Sequence, residues 1–519
     1  MALLYDSVEI YDTPSFTYDG AAVTSYQTQG IHGMSFSSGT DELWVVWNGV
    51  PKKYLNGWVN APVDLAATTD VYFESFLDGM FMVDGSDSNY FYNGTTWSTT
   101  TNLADSPKGL YIREHLTRLY LYRVTIMGTV FHSRVWYSDF PKNETITWGL
   151  ETGSDLAQTA SSAVVTSAGS LFITRNIKVG DPFTIMTGTN AGEYVVQTID
   201  SETQITLTKN LTNNQSDKDF WVGGNWFDVG TDDGDIGMGI GETANEMFFF
   251  KKTSVYRYSA IEKQLRKVKT APGTTSPRSI INWGSYTYWY HPSGLYRCAG
   301  LSEEKISDPI EDIIDGVPDN TAVVGWVSPK ENTLNWYLGN VITRDGETIQ
   351  NCVAVFDARA EKMYLSSIKN SMRCAVTWIQ DDDVAVHAAD NASGVFEMDT
   401  GTSFDGQAIS FEAETWPIFP AGTEALNIFT RLRAYIKNGP DVQLLYKLVY
   451  KPVKGREDVW INDNDWKPMK GSQKGDRAEW SFQVNAVASG VKIKAVESST
   501  NESHLIQKLV IYYTPMGNR

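Results

Sequence analysis

The sequence predicts an all-β protein with a β-propeller of six or seven blades, an inserted small β-barrel and a C-terminal β-sandwich. Three observations indicate this fold class. Short runs of aromatic and β-branched residues recur along the chain, Gly, Asn or Asp separates the runs, and long helical periodicity is nearly absent. Aromatic residues make up 13% of the 519 residues. Because most of them lie in these runs, they mark a structural repeat rather than a binding surface.

The aromatic runs recur at a spacing of roughly 35 to 50 residues once one insertion is set aside. This spacing, with strand–turn–strand content, is typical of propeller blades, because a single small sheet cannot bury both of its faces. Stacked β-sandwiches are the alternative interpretation. The runs cover residues 33–57, 70–97, 109–140, 246–260, 279–300, 323–366 and 374–399.

Two segments differ from this pattern and set the domain boundaries. Residues 157–225 are rich in Thr, Ser, Val and Ile, and their short alternating strands predict a small barrel placed between two blades. From residue 405 onward, alternating strands with charge on the outer face predict a sandwich. The predicted domains are a first propeller part over 1–156, the barrel over 157–225, a second propeller part over 226–404 and the sandwich over 405–519.

Composition excludes several classes of protein. With 62 acidic and 43 basic residues the formal net charge is −19, which argues against gripping nucleic acid, since neutralising phosphates needs clustered Lys and Arg. No apolar run reaches the length of about 18 residues that a membrane-spanning helix needs, and Asp6 interrupts any signal peptide. Three widely spaced cysteines, Cys298, Cys352 and Cys374, argue against a disulfide framework and favour a reducing compartment.

The residue types that commonly carry chemistry form no recognisable motif. The stretch Gly237–Gly241 lacks the Lys of a phosphate loop and is interpreted as a close strand-to-strand turn. Acidic stretches at 231–235, 381–383 and 462–465 lack the spaced ligands of a calcium loop and are interpreted as solvated blade tips. We therefore expect no catalytic, metal-binding or cofactor-binding residue. The histidines, none at metal-binding spacing, are His32, His115, His132, His291, His387 and His504.

A carbohydrate-engaging propeller, either a receptor-binding module or a glycan depolymerase, is the alternative function. Glycoside hydrolysis needs two carboxylates about 5 or 6.5–9.5 Å apart, here at the propeller axis. Exposed Trp and Tyr could instead stack on sugar rings. The sequence alone identifies no axial carboxylate pair with flanking Trp.

Five short elements follow one another within residues 228–312: GDIG at 234–237, FFFKKTSVYRY at 248–258, SPRS at 276–279, SGLYRCAG at 293–300 and ISDPI at 306–310. In this order they resemble the tail hub or nozzle proteins of short-tailed bacteriophages, which are also called packaged-DNA stabilisation proteins. The 157–225 segment is similar to the small barrel of these proteins, and the segment ending IYYTPMGNR resembles their last domain. The first 60 residues depart from the Asn-rich and Gly-rich start of related head-completion proteins.

The resemblance implies a structural virion protein without enzymatic activity. Such proteins form a ring, usually of six copies, which continues the DNA channel below the portal and adaptor and retains the packaged genome. The implied partners are copies of the same chain, the adaptor–portal complex, tail fibres or a needle, and duplex DNA that passes without tight binding; no membrane partner is expected. The implied location is the virion tail, after assembly in the host cytoplasm. An acidic wall suits a passing duplex, because it repels the phosphate backbone.

Overall fold

The computed structural model contains two compact units, one of residues 11–363 and 370–395 and the other of residues 1–10, 364–369 and 396–519. The first strands along the chain are β1 (Ser7–Ile10), β2 (Thr17–Tyr18) and β3 (Ala21–Ala22), of which β2 pairs with β3. The structure describes residues 7–10, 17–18, 21–22, 28–54, 58–231, 233–344, 346, 348–368, 371–380, 383–389, 394–398, 409–415, 417–421, 425–437, 443–450, 461–462, 465–474, 477–499 and 505–516.

Seven four-stranded antiparallel sheets form the propeller and are called blades 1 to 7 in chain order. Blade 1 contains β4 (Thr28–Ser35), β5 (Asp41–Trp47), β6 (Val50–Tyr54) and β7 (Trp58–Asn60). Blade 2 contains β8 (Tyr72–Phe76), β9 (Gly79–Val83), β10 (Tyr90–Tyr92) and β11 (Trp97–Ser98). Blade 3 begins with β12 (Lys108–His115), β13 (Arg118–Ile126) and β14 (Thr129–Tyr137).

The barrel follows β14 in the chain and consists of six strands. They are β15 (Glu151–Gln158), β16 (Val164–Thr166), β17 (Pro182–Ile185), β18 (Gly192–Ser201), β19 (Gln204–Leu207) and β20 (Gln215–Val222). The barrel closes in the order β15-β16-β19-β18-β17-β20 around its own apolar core, in which Phe183 stacks on Phe220 with ring centroids 5.2 Å apart. The next strand, β21 (Trp226–Asp228), returns to blade 3 as its fourth strand.

The remaining blades follow in the same pattern. Blade 4 contains β22 (Gly237–Thr243), β23 (Glu246–Lys251), β24 (Val255–Ser259) and β25 (Gln264–Lys267). After a 3-10 turn at Pro277–Ser279, blade 5 contains β26 (Ile281–Trp283), β27 (Tyr286–His291), β28 (Gly294–Cys298) and β29 (Glu303–Lys305). A second 3-10 turn at Asp308–Ile310 and the short helix α1 (Glu311–Asp315) precede blade 6.

The last two blades complete the propeller. Blade 6 contains β30 (Val324–Ser328), β31 (Thr333–Ile342), β32 (Thr348–Asp357) and β33 (Lys362–Ser367). Blade 7 contains β34 (Cys374–Gln380), β35 (Asp383–Ala389) and β36 (Val395–Met398), with β1 as its outermost strand. Each innermost strand contacts the innermost strands of both neighbouring blades, and the ring closes between β34 and β4. The predicted propeller is confirmed, and the described residues form seven blades.

Burial on both faces of each blade explains the aromatic runs. Every residue of β9 is buried, as are five of the six residues of β23, because neighbouring blades cover both sides of these strands. Aromatic side chains fill the gaps between blades: Tyr72 of blade 2 meets Tyr111 of blade 3 with ring centroids 4.9 Å apart, and Tyr122 meets Phe249 of blade 4 at 5.3 Å. Large side chains are therefore needed on both faces of a strand, which removes the usual apolar–polar alternation.

The position of the barrel differs from the prediction. It lies inside blade 3, between its third and fourth strands, and not between two blades. The fourth strand is only three residues long, so its sequence looks like the start of the next run. The barrel also begins at Glu151 and not at residue 157, because the Gly153-Ser-Asp155 segment belongs to its irregular first strand.

The second unit contains a two-sheet sandwich. One sheet has the order β37-β44-β39-β40, with β41 paired to β39, and the other has the order β42-β43-β38-β45. Phe429 and Leu432 of one sheet pack against Leu444 and Ile493 of the other. The strands are β37 (Ile409–Glu414), β38 (Leu426–Lys437), β39 (Gln443–Tyr450), β40 (Ile461–Asn462), β41 (Lys467–Pro468), β42 (Lys470–Lys474), β43 (Arg477–Ala488), β44 (Gly490–Ser499) and β45 (Leu505–Met516).

Candidate functional site at the propeller axis

The innermost strands enclose a cavity of about 250 Å³ at the propeller axis, and every blade contributes to its wall. Close approach of the strands requires glycine at some wall positions. A Cβ atom on Gly30 would lie 2.6 Å from the carbonyl oxygen of Val71, and one on Gly325 would lie 2.8 Å from Ile281. The strands therefore converge closely enough for polar side chains from different blades to meet at the axis.

A cluster of ionisable side chains from blades 2, 3 and 4 lies at this axis. Nη1 of Arg113 is 3.4 Å from Oε2 of Glu74 and 3.7 Å from Oε1 of Glu242. His115, two residues along the same strand as Arg113, is buried, and its Nδ1 lies 3.6 Å from Oε2 of Glu242. One guanidinium thus serves two carboxylates that come from separate blades.

Glu74 has an unusual protonation equilibrium. Burial raises the pKa of its carboxyl to about 7; Arg113 acts in the opposite direction, whereas Glu242 adds to the rise. Two carboxylates that share one guanidinium cannot both be fully compensated, so the more buried one holds its proton. Near neutral pH, Glu74 exchanges between the acid and the carboxylate form, as a general acid or base does.

A second ionic cluster lies where the inner strands begin. Oδ1 of Asp70 is 3.1 Å from Nη2 of Arg278 and 3.1 Å from Nη2 of Arg373. Nη1 of Arg278 also donates to the carbonyl oxygen of Arg373 at 2.7 Å, and its Nη2 donates to the carbonyl oxygen of Gln29. Arg278 therefore joins blades 5, 7, 1 and 2 through its guanidinium alone.

The histidines occupy different environments, and the structure brings two of them close to the axial cluster. His32 stacks on Phe73 and its Nε2 lies 2.8 Å from Oγ of Ser75; burial, with a smaller contribution from Arg113, lowers its pKa to about 4. His115 lies beside Glu242 as described. His132 is exposed on β14, His291 contacts Ser293, and His387 is buried beside Trp378. His504 lies outside the described residues. Within the described part of the chain, no three His, Cys, Asp or Glu residues are grouped to hold a metal ion.

The other stretches singled out in the sequence have structural roles where the structure describes them. Gly237–Gly241 belongs to inner strand β22 and is not a turn. Glycine is needed in this strand because a Cβ on Gly241 would lie 2.4 Å from Oγ1 of Thr287. In the 231–235 stretch, Asp233 pairs with the buried ammonium of Lys251, and Asp235 accepts backbone N–H bonds from Lys252 and Thr253. Residues 232, 381, 382, 463 and 464 of the acidic stretches lie outside the described residues. The three cysteines are buried in blades 5, 6 and 7.

The axial cluster is not recognisable in the sequence because its members come from three blades. Each blade in isolation contains an ordinary charged residue on a strand: Glu74 in YFESF, Arg113 in KGLYIREH and Glu242 in GMGIGET. A charged residue on the first strand of a blade could have indicated an axial position, because this strand lies next to the propeller axis. Such a residue would be a candidate for the axial site, but the sequence does not show which charged residues contact one another.

Comparisons with known proteins place the chain in no family. No protein-family model and no curated protein matches it. Among solved structures, it is similar to the endosialidase of phage phi92 (TM-score 0.27, 10% identity, 62% of this chain and 64% of that one) and to the extracellular domain of a one-component system from B. thetaiotaomicron (TM-score 0.26, 11% identity, 89% of this chain and 50% of that one). The chain therefore spans less than two thirds of either structure. At these TM-scores the likenesses carry no argument about function.

Proposed function

We propose that the chain is a structural component of a phage tail that forms a ring, continues the DNA channel below the portal and adaptor, retains packaged DNA and carries fibres or a needle. The short sequence elements of residues 228–312, which resemble those of tail hub or nozzle proteins and occur in the same order, support this proposal. The structural observation that carries it is the rigid attachment of the barrel to the propeller, which a load-bearing scaffold requires.

Two strands of blade 3 hold both ends of the barrel. β14 leads toward the barrel and β21 returns from it, and the two strands are paired with Arg134 opposite Asp228. Arg134 forms a bidentate ion pair with Asp228, with both N–O distances at 2.9 Å, and its guanidinium lies 3.6 Å from the ring centre of Trp226. A connection through two paired strands resists rotation, which a single linker would allow.

Polar contacts brace the barrel against the propeller at a second place. Arg175 of the barrel lies 3.8 Å from Oδ1 of the buried Asp105, which belongs to the segment between blades 2 and 3. Within the barrel, Arg175 also lies 3.5 Å from Oε2 of Glu151. Nearby, the carboxylate of Asp139 accepts hydrogen bonds from Asn176 at 2.6 Å and from Asn225 at 3.3 Å. The barrel is thus attached to the propeller at two separate places, and both belong to one compact unit.

The test of this proposal is the mass of the purified chain with and without its adaptor–portal complex, measured by size-exclusion chromatography with light scattering. We expect a multimer of the chain to co-elute with the adaptor. A chain that remains a strict monomer in the presence of the adaptor, and that cleaves host polysaccharide, would contradict the proposal.

One observation favours a second candidate, the carbohydrate-engaging propeller. Glu74 and Glu242 both contact Nη1 of Arg113, so their carboxylate oxygens lie within about 7 Å of each other, which overlaps the separations used in glycoside hydrolysis. Glu74, with a pKa of about 7, would serve as the acid and Glu242 as the base or nucleophile.

Variants of the two carboxylates test this candidate against bacterial polysaccharides. Hydrolysis by the native chain that disappears in both Glu74→Gln and Glu242→Gln would support it. The matched control is Glu144→Gln, which alters an exposed glutamate in a loop. Hydrolysis that persists in both axial variants, or no hydrolysis of any polysaccharide, would contradict it.

A further inference from the structure

The outer rim of blade 4 is cationic in a chain whose formal net charge is −19. Its outermost strand, β25, contains Arg266 and Lys267. Lys263 and Lys269 flank this strand, so the four cations extend over about 20 Å of chain. Lys252 adds a fifth cation from the turn between β23 and β24 of the same blade. All five residues are exposed, and together they are called the cationic rim.

The charge of the cationic rim is not neutralised within the chain. None of its five members forms an ion pair with an acid among the residues that the structure describes. Asp233, which interacts with Lys267 through charge, already pairs with the buried ammonium of Lys251. Lysines on an edge strand commonly prevent sheet edges from pairing, but Lys252 and Lys269 lie outside β25. The positive surface is therefore larger than the protection of one strand edge requires.

The neighbouring rim, on blade 5 and the adjoining turns, has the opposite charge. Its two cations, Arg297 and Lys305, are each shared by two acids, so negative charge remains in excess. The side chains of the four acids are 58% to 75% exposed, and they are called the acidic rim. At nitrogen–oxygen distances of 2.8 to 3.2 Å, Arg297 contacts Glu304 and Glu361, and Lys305 contacts Asp308 and Glu311.

The two rims adjoin where blade 4 meets blade 5. The backbone N–H of Lys269 donates to the carbonyl oxygen of Leu301 at 3.1 Å, and Lys269 forms a parallel bridge with Ser302, immediately before β29. Two adjacent surfaces of opposite charge are self-complementary across a two-fold axis that passes between them, because the rotation brings each surface onto the other. A second copy of the chain therefore matches both rims at once.

The same arrangement disfavours duplex DNA as the occupant. A duplex lying on the cationic rim would bring its phosphates beside the adjoining acidic rim, which repels them. The net charge of −19 adds repulsion as the duplex approaches. A second copy avoids this conflict, since it offers positive charge where the first copy is negative.

We propose that two copies of the chain associate through blades 4 and 5, with the cationic rim of each copy against the acidic rim of the other. This inference goes beyond the proposed scaffold and does not rest on it, because a two-fold pair needs no adaptor. Failure of pairing would leave ring formation with the adaptor untouched, and failure of ring formation would leave the pair unchanged.

Sedimentation equilibrium of the full chain without its adaptor tests the pairing. At about 50 mM salt and micromolar concentration we expect a species with twice the mass of the 57.9 kDa chain. Its dissociation constant should rise at least about tenfold at about 500 mM salt, because salt screens exposed charges. A chain that remains monomeric at about 100 µM, or a pair that salt does not weaken, would overturn the proposal.

Charge reversal tests the assigned surface. The double variant Arg266→Glu/Lys267→Glu should raise the dissociation constant of the pair at least about tenfold. The matched control is Lys142→Glu/Lys209→Glu, which changes the net charge by the same amount at exposed lysines in a loop after blade 3 and in the barrel; its dissociation constant should be unchanged. Equal weakening by both double variants would mean that overall repulsion, and not the cationic rim, controls association.

A mixture of two variants gives a readout that a folding defect cannot imitate. Glu304→Lys/Glu311→Lys reverses the acidic rim and should be monomeric alone, as should Arg266→Glu/Lys267→Glu. When mixed, the two should form a one-to-one pair, because each rim of one variant again meets opposite charge on the other. Absence of association in the mixture, or growth beyond two chains, would overturn the two-fold contact. Binding of a short duplex by the native chain that Arg266→Glu/Lys267→Glu abolishes would overturn the assignment of a second copy as the occupant.

Discussion

Arg134 and Asp228 form a bidentate ion pair inside blade 3, although the whole barrel separates them in the sequence. The pair holds together the two strands through which the chain leaves the propeller and returns to it. The stability of this contact is therefore central to the proposed rigid scaffold.

Loss of one partner of this pair should destabilise the protein. Arg134 is 8% exposed, so Asp228→Asn would leave a largely buried guanidinium without its counter-charge, and we expect a loss of about 2 kcal/mol in the free energy of unfolding. Denaturant unfolding measures this loss. Asp315→Asn, which removes the partner of the exposed Arg344, is the control and should change nothing measurable. Equal effects of the two substitutions would show that the contact in blade 3 does not brace the barrel.

Glu74 should make the protein less stable as the pH rises. Its pKa is about 7 in the folded state, whereas the ordinary pKa of a glutamate, taken here for the unfolded state, is 4.5. Between these two pH values the folded state therefore binds more protons than the unfolded state. The stability contributed by this group is present below about pH 4.5 and is lost as the pH rises through 7. Glu74→Gln should therefore be more stable than the native chain at pH 8, by about 2–3 kcal/mol.

Thermal unfolding of both proteins at pH 5 and pH 8 measures this difference. The advantage of Glu74→Gln should be larger at pH 8 than at pH 5. Burial raises the pKa of Glu151 to about 6, so this group also makes the protein less stable as the pH rises. Because Glu151 is present in both proteins, its effect cancels in the comparison. A stability difference that is the same at both pH values would mean that Glu74 titrates normally.

The barrel should be removable without unfolding the propeller. It has its own core, and Gly153 lies opposite Phe220 on its first and last strands. Replacing residues 154–219 by Asn-Gly would join these strands in a two-residue hairpin and keep Trp221, which packs in the core of blade 3. We expect native near-ultraviolet circular dichroism and a single cooperative unfolding transition. An aggregated product would show that the propeller depends on the barrel for folding.

The acidic balance of the chain should prevent it from holding DNA. With a net charge of −19, the chain repels a duplex except where basic groups cluster, and counterion release offers little gain. A mobility-shift assay with a short duplex at low salt should show no complex. Tight binding under these conditions would contradict a passive channel wall.

The sequence predicted the repeats well, because the aromatic residues are needed between all blades. Each predicted run corresponds to one blade, including Tyr72 to Trp97 in blade 2 and Cys374 to Met398 in blade 7. The dipeptide Asn93-Gly94 is typical of a type I′ hairpin turn, but the turn between β10 and β11 is of another type. Only Gly94 has a positive φ, because the side chain of Asn93 accepts the N–H groups of Thr95 and Thr96 and shapes a four-residue connection. Leu77 and Asp78, with φ of 53° and 49°, form the two-residue turn with positive φ instead.

The sequence could not predict the parts that depend on contacts between distant blades. The fourth strand of blade 3 is recognisable only from its pairing with β14, since Trp226–Asp228 is too short to show a pattern. Likewise, Glu74, Arg113 and Glu242 meet only after the ring closes. Local patterns contain no information on which charged strand residue faces which, so the axial site required the structure.

The most direct test of the central claim is the location of this chain in the intact particle by electron cryomicroscopy. We expect several copies arranged as a ring on the tail axis, below the portal and adaptor, with DNA passing through the ring. Single copies on a side appendage, away from the axis, would contradict the scaffold role.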